Sequence, residues 1–382
     1  MKNSLTGWTI AHFAVDMSCL YIAFRGVGTI YIALDWTIYM HREAVAILLY
    51  NILAFGLQSV IGALVDRFPK LQKIVGIEGT DLMLIPLIMI WIWRTEVISW
   101  AALIIAGILN ACFHVGGGVD VIRNSGGRIT PSGIFVSSGA LGVVTGTVLG
   151  RSGQGALLPI LIVCVAIAVL YFTTDNWAKD FVACSREGRK CEITAPLKEY
   201  VHFDLLKRNA VPALAVACMF FAVLIRSYGG FIWPFGFDRT GYLILLVPCA
   251  SCLGKALGGI AADRFGALET AVVSLLISAI LFFTGDGSWV IMGISLLLFN
   301  MAMPITLAGL VNAMPEDPGF AFGLSTLALL LGYILLYVID TGNIDLRYLT
   351  LILILVAAVL IAAVLRGKSK DTSGGKKNEI DQ

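Results

Sequence analysis

The sequence predicts an all-α membrane protein with twelve transmembrane helices, arranged as two six-helix halves. Three observations carry that expectation. The chain of 382 residues is 58% hydrophobic and only 14% charged, whereas a soluble domain is typically about 25% charged. Its apolar residues fall into runs of about 20, the length that crosses a hydrocarbon core. Short polar motifs at the ends of those runs recur in the second half of the chain. The formal charge of +2 points to no nucleic-acid partner. The eight cysteines are scattered, and Cys249 and Cys252 read as small buried residues of an apolar span. No metal-ligand cluster, nucleotide-binding motif or nucleophile elbow stands out. Neither a metal, a cofactor nor an enzymatic activity is expected.

The apolar runs place spans at 5–30, 43–64, 74–93, 97–122, 132–151 and 155–174, then at 209–232, 240–261, 268–284, 288–312, 319–340 and 346–366. The first carries His12, Asp16 and Arg25, which a cleavable signal peptide would not. The second closes on Gly62, Asp66 and Arg67, and the third holds Glu78 and Asp81 three residues apart. The fourth carries Asn110, His114, the triplet Gly116 to Gly118, Asp120 and Arg123. A basic turn from Asn124 to Pro131 leads to the fifth, where Gly142, Gly146 and Gly150 repeat every fourth residue. That spacing lets two backbones approach closely in a bilayer. The seventh span holds Arg226, with Tyr228, Phe231, Trp233 and Pro234 expected as an interface belt or gate. The eighth holds Lys255 between Gly254 and Gly258 and closes on Gly259, Asp263 and Arg264, and the tenth carries Asn300. The expected units are a bundle over 1–174, a polar linker over 175–208, a second bundle over 209–366 and a disordered tail over 367–382.

Lys and Arg concentrate in alternate connections, above all in the linker and the tail. The positive-inside rule then puts both termini in the cytoplasm of a multi-pass plasma membrane protein. The halves resemble each other. The Asp66–Arg67 motif recurs as Asp263–Arg264, Arg25 before Gly26 recurs as Arg226 before Gly229, and Asn110 recurs as Asn300. Such duplication marks secondary transporters with a site between the halves.

At Gly62, Asp66, Arg67, Pro69 and Lys70, and again from Gly259, the chain resembles the loop motif of the major facilitator superfamily. Finer features are similar to its fosmidomycin-resistance-like branch. They are His12 and Asp16, Phe113–His114 before glycines, Gly126–Gly127–Arg128, Arg226–Ser227, and Pro315 with Pro318–Gly319 before Phe322. Departures are Val115 after the histidine, Thr147 after Gly146, and His114 where drug antiporters carry an arginine. The resemblance implies the major facilitator fold. It also implies gating latches at Asp66, Arg67, Asp263 and Arg264, the second weaker because Gly266 and Ala267 replace Pro69 and Lys70. The alternative is that these residues are caps and topology determinants.

His12 and Asp16 lie one helical turn apart and, with Asp120, are the candidates for proton coupling. The alternative is a hydrogen-bonded pair that fixes packing. Asp120 and Arg123 also read as a local ion pair, and Glu78 and Asp81 as a polar edge. The glycine triplet suggests an opened backbone beside His114. Substrate-binding candidates are Arg25, His114, Arg226, Lys255, Asn110 and Asn300. Arg25 and Arg226 are expected at similar depth on opposite sides of a cavity, which with Lys255 favours an organic anion. The sequence therefore points to a secondary active transporter of a small, anionic organic molecule, coupled to protons and directed to efflux. An uptake symporter or uniporter and a non-transporting receptor or scaffold are the alternatives.

Overall fold

The computed structural model describes residues 2–28, 36–93, 95–174, 212–233, 241–285, 287–342 and 344–366. The expected linker at 175–208 and the tail at 367–382 lie outside them. The described residues form twelve apolar helices: α1 (Ser4–Gly28), α2 (Arg42–Arg67), α3 (Leu71–Ile92), α4 (Glu96–Arg123), α5 (Thr130–Arg151), α6 (Leu157–Thr173), α7 (Pro212–Phe231), α8 (Leu243–Phe265), α9 (Ala267–Thr284), α10 (Trp289–Ala313), α11 (Pro318–Val338) and α12 (Leu346–Leu365). Every helix falls within a few residues of its predicted span. All but α6 have the length and hydropathy to cross a bilayer.

Local sequence sets the helix ends. Thr95 caps α4 and Ser288 caps α10 through their side chains. Pro131 and Pro318 occupy the first turns of α5 and α11, where a missing N–H costs nothing. Gly266, at φ +100°, turns the chain between α8 and α9, a conformation that side chains rarely adopt. Two stretches widen to π-helix, Ile22–Gly28 in α1 and Ile52–Gly56 in α2.

The packing pattern repeats after six helices. α1 packs on α5 and α6 as α7 packs on α11 and α12, and α3 packs on α4 as α9 packs on α10. The halves meet through α2 on α11 and α5 on α8, which are equivalent contacts under that repeat. Small residues carry the close ones. Met17 O of α1 lies against Gly146, Phe13 O against Gly142 and Tyr21 O against Gly150, so the predicted glycine register of α5 seats α1. Gly62 meets the backbone of Gly319, and Gly133 meets Gly259.

The glycine triplet behaves differently from the expectation. α4 runs as an unbroken helix through it. Gly116 packs on the backbone of Gly76 in α3, Gly117 lies under Trp8 of α1, and Gly118 lies under Phe322 of α11. Three neighbours on three sides demand three consecutive residues without side chains. The triplet is a packing hub and does not open the backbone.

Trp233 likewise differs. It is buried, donates to the Met292 sulfur at 3.1 Å and stacks among Phe282 and Phe299, so it belongs to the core of the second half and not to an interface belt. Pro234 lies outside the described residues.

Candidate functional site

At mid-height, α1 and α4 each present a polar pair one turn apart to the other. His12 and Asp16 come from α1, Asn110 and His114 from α4, and all four are buried. The His12 Nδ1 lies 2.7 Å from the carbonyl oxygen of Phe135 in α5. The His114 Nδ1 lies 2.9 Å from the carbonyl oxygen of Asn110. The two Nε2 atoms face each other at 2.9 Å, with the rings edge to face. Asp16 sits beneath them, Oδ2 3.3 Å from the His12 Nε2 and Oδ1 3.6 Å from the His114 Nε2. Asn110 donates its amide to Asp16 Oδ1 at 2.9 Å. Phe113 and Phe135 wall the pair.

The hydrogens of this cluster can be counted. A carbonyl oxygen only accepts, so both Nδ1 atoms carry a hydrogen. The contact between the two Nε2 atoms needs one more. Two neutral imidazoles carry two hydrogens, and the arrangement takes three. The arrangement thus has a place for one proton between the two rings, beside the Asp16 carboxylate.

The ligand atoms of His12, Asp16 and His114 also lie close enough together to meet on one metal ion. Lys255 acts electrostatically on both Asp16 and His114, and Arg226 on Lys255. A divalent ion would bring two positive charges to a buried site where Asp16 alone offsets them.

The second half carries two cations near the middle of its helices. Lys255 of α8 makes no hydrogen bond or ion pair within 4 Å among the described residues and is half-buried. Arg226 of α7 is buried, donates from Nη2 to the Phe299 carbonyl at 2.6 Å and lies over the Phe299 ring. Its Nε has no partner, and no carboxylate comes within ion-pair distance of it among the described residues. A buried guanidinium held only by a carbonyl and a ring has its charge uncompensated locally.

The other expected residues are placed apart from this core. Arg25 is half-buried at the end of α1, beside Gly150 and Gly153, and its neighbour Gly26 lies against Ser99 in the first turn of α4. Arg226 reaches Phe299, ten residues into α10. The two arginines therefore reach different depths, contrary to the symmetric expectation, because the Arg226 guanidinium reaches Phe299 of α10 while the Arg25 guanidinium lies beside Gly153, just past the end of α5. Asn300 ties α10 to α8 through Ser251 at 3.2 Å. Asp120 accepts from the Trp8 indole at 2.8 Å, toward the far end of α4, and Arg123 reaches Gln72 and the neighbourhood of Asp66. Glu78 is exposed, and Asp81 accepts from Tyr171 of α6 at 2.7 Å.

The two repeated motifs make crossed contacts between the halves. Asp66 of α2 accepts from the N–H groups of Gly319 and Phe320, at the start of α11, at 2.9 and 2.7 Å. Asp263 of α8 accepts from the N–H groups of Ile129 and Thr130, at the start of α5, at 2.8 and 2.9 Å, and from the Thr130 hydroxyl. Each carboxylate caps the positive end of a helix in the opposite half. The second contact has one more protein donor than the first, where a weaker latch was expected, because Thr130 brings a hydroxyl. Arg67 and Arg264 are exposed and lie over Phe68 and Phe265. The end of the bundle that bears these motifs is thus closed.

Sequence reasoning missed three contributors. Gly139 faces the cluster so tightly that a Cβ would collide with Asp16 and His12. It lies three residues before Gly142 on the glycine face of α5, a signal that could have found it. Tyr50 of α2 hydrogen-bonds Cys19 beside Asn110, and the Phe135 carbonyl fixes His12. Neither of these has a sequence signature.

No protein-family profile and no curated protein matches this sequence. Solved structures do match its shape. The Escherichia coli fucose:proton symporter superposes with a TM-score of 0.65 at 11% identity, over 94% of this chain and 97% of that one. The human organic anion transporter MFSD10 gives 0.65 at 14% identity, over 94% and 99%. A bacterial homologue of the iron transporter ferroportin, in an outward-facing state, gives 0.54 at 16%, over 94% and 98%. The likeness spans nearly the whole chain and shows the major facilitator fold.

Proposed function

We propose that this protein is a secondary active transporter that carries a small organic anion across a bilayer by alternating access, with a proton bound between His12 and His114. One observation carries the reading. A histidine pair with a place for one proton between its rings shares the middle of the bundle with two cations, Lys255 and Arg226, that lack a carboxylate partner within ion-pair distance among the described residues. A scaffold has no use for either. Two proteins of similar shape are a proton symporter and an organic anion transporter, which agrees with this reading.

In this mechanism the crossed caps at Asp66 and Asp263 hold one end closed while the solute enters from the other. Rocking of the halves releases them and exposes the midplane to the opposite side. Arg226 and Lys255 bind the anion. His12, His114 and Asp16 take up and release the proton, and Asn110 holds the Asp16 carboxylate in place. With both termini cytoplasmic, as the Lys and Arg pattern favours, the structure is the one closed on the cytoplasmic side.

The test is flux into proteoliposomes of the purified protein, with a panel of small carboxylates and phosphate esters and one organic cation, with and without an imposed pH gradient. Anion flux driven by the gradient is expected. Asp16→Asn should lose the gradient-driven component and keep anion counterflow. Flux of the cation alone, unaltered in Arg226→Ala, would reject the anion assignment, and absence of flux for every compound would favour the scaffold.

A further inference from the structure

Three side chains of the first half turn ligand atoms toward one point. The Nδ1 atoms of His12 and His114 face the carbonyl oxygens of Phe135 and Asn110, at 2.7 and 2.9 Å, so each neutral ring carries its hydrogen there. Each Nε2 then presents a lone pair, and the Asp16 carboxylate adds a third ligand. The two Nε2 atoms are 2.9 Å apart. Asp16 Oδ2 lies 3.3 Å from the His12 Nε2, and Asp16 Oδ1 lies 3.6 Å from the His114 Nε2. Nitrogen and oxygen ligands about 2.0–2.1 Å from a tetrahedral ion stand about 3.3 Å apart. The three observed separations bracket that value.

We infer that His12, Asp16 and His114 form a binding site for one divalent transition-metal ion, of the class that takes imidazole and carboxylate together, such as Zn2+. The shell around the ligands has the form such sites need. A metal-bound histidine donates its other ring N–H to a carbonyl or carboxylate, and a ligating carboxylate is itself hydrogen-bonded. Both rings meet the first condition, and Asn110 meets the second by holding Asp16 Oδ1 at 2.9 Å, which leaves Oδ2 to the ion. Two further observations point to an occupant. Asn110 Oδ1 is buried without a partner, and a water on the ion would supply its donor. The first atoms that a Cβ at Gly139 would meet are Asp16 Oδ2 and His12 Nε2, so the space this glycine leaves lies against two of the ligand atoms. Asp16 offsets one of the two charges of the ion. A three-ligand site keeps a fourth position open, and a hydroxide or small anion there offsets the other. Imidazole nitrogen disfavours Mg2+ and Ca2+, which take oxygen ligands. All three ligands belong to α1 and α4, so the ion ties these helices together and does not bridge the halves. It occupies the place between the rings that the proposed function gives to a proton, and the two exclude each other.

The probes are Co2+, read by its visible absorption, and Zn2+ as its competitor, on chelator-stripped protein in lipid nanodiscs without a polyhistidine tag. One Co2+ per chain is expected, with no sulfur-to-metal charge-transfer band. Zn2+ should displace it, and an excess of Mg2+ or Ca2+ should not. The melting temperature should rise with Zn2+ concentration, because the ion binds the folded state. His12→Gln, His114→Gln and Asp16→Asn should each abolish both effects. Asn110→Ala should weaken binding about 10- to 100-fold, as loss of a group that orients a ligand does. The other histidines and the Cys249–Cys252 pair are the controls, so His41→Gln, His202→Gln and the double change Cys249→Ser, Cys252→Ser should bind as wild type. X-ray absorption of the Zn2+-loaded wild type serves where a variant does not fold, and imidazole with oxygen and no sulfur is expected in its first shell. Sulfur in that shell, binding retained in the three ligand variants, or no binding of either ion by folded wild type would overturn the site. Metal binding does not require that the protein carry protons, so this test and the flux test fail separately.

Discussion

Gly139 shows how little room the cluster has. Its missing side chain is what allows Asp16 and His12 to lie against α5. Gly139→Ala should push both away and destabilise the protein by about 1–3 kcal/mol, the usual effect of overpacking. A lower melting temperature in detergent, together with loss of gradient-driven flux, is expected. Gly155→Ala is the control, since a Cβ there meets nothing within 4 Å. Equal melting temperatures for the two variants would show that the cluster is looser than its geometry. Arg226 makes a second case. Its guanidinium uses one Nη for Phe299 and leaves Nε unpartnered. Arginine offers two parallel donors to a carboxylate or phosphate, and lysine does not. Arg226→Lys should weaken anion binding about tenfold or more although the charge is kept. Binding by the lysine variant equal to wild type, measured by counterflow affinity, would mean that charge alone matters there.

At the scale of elements, the crossed caps decide which end of the bundle is shut. Each replaces the missing acceptors at the start of a helix in the other half, and such a cap is typically worth about 1 kcal/mol. Asp66→Ala and Asp263→Ala should each favour separation of that end, and the double variant more than either. Spin labels at Lys70 and Arg264, exposed positions on opposite halves near the two caps, would report the distance. A longer or broader distribution is expected in the double variant. A distribution unchanged from the parent protein would show that the packing of Gly62 on Gly319 and Gly133 on Gly259 holds the end closed without the carboxylates. Arg67, the arginine of the first motif, lies outside these contacts on an exposed face, so its removal should leave the distance unchanged.

For the whole molecule, orientation in the membrane follows from the placement of Lys and Arg along the chain. Reporter fusions at Arg189 and after Gln382 should both be cytoplasmic, and a tag at Asp286 should be external. An external C-terminus would invert the sidedness of the closed end and with it the direction in which the solute enters.

The helices themselves were legible in the sequence because a bilayer leaves the chain few choices. Every backbone polar group must be satisfied within the segment, so an apolar run of sufficient length becomes a helix wherever it falls. All twelve runs did so to within a few residues. The repeat of Asp66–Arg67 as Asp263–Arg264 also exposed the pseudo-symmetry, and the spacing of Gly142, Gly146 and Gly150 exposed the close contact of α5. Pairing His12 with Asp16 needed only the helical period. What lay across from them did not follow from any period. That His114 meets His12, that Asn110 holds Asp16, and that Phe135 and Asn110 carbonyls fix both rings depend on how α1, α4 and α5 are rotated against one another. That rotation is set by the glycine contacts and the aromatic wall, which are sums over many long-range neighbours. The same holds for Asp66 and Asp263. Sequence marked them as a pair of motifs, but only the assembled halves bring each to the helix start that it caps.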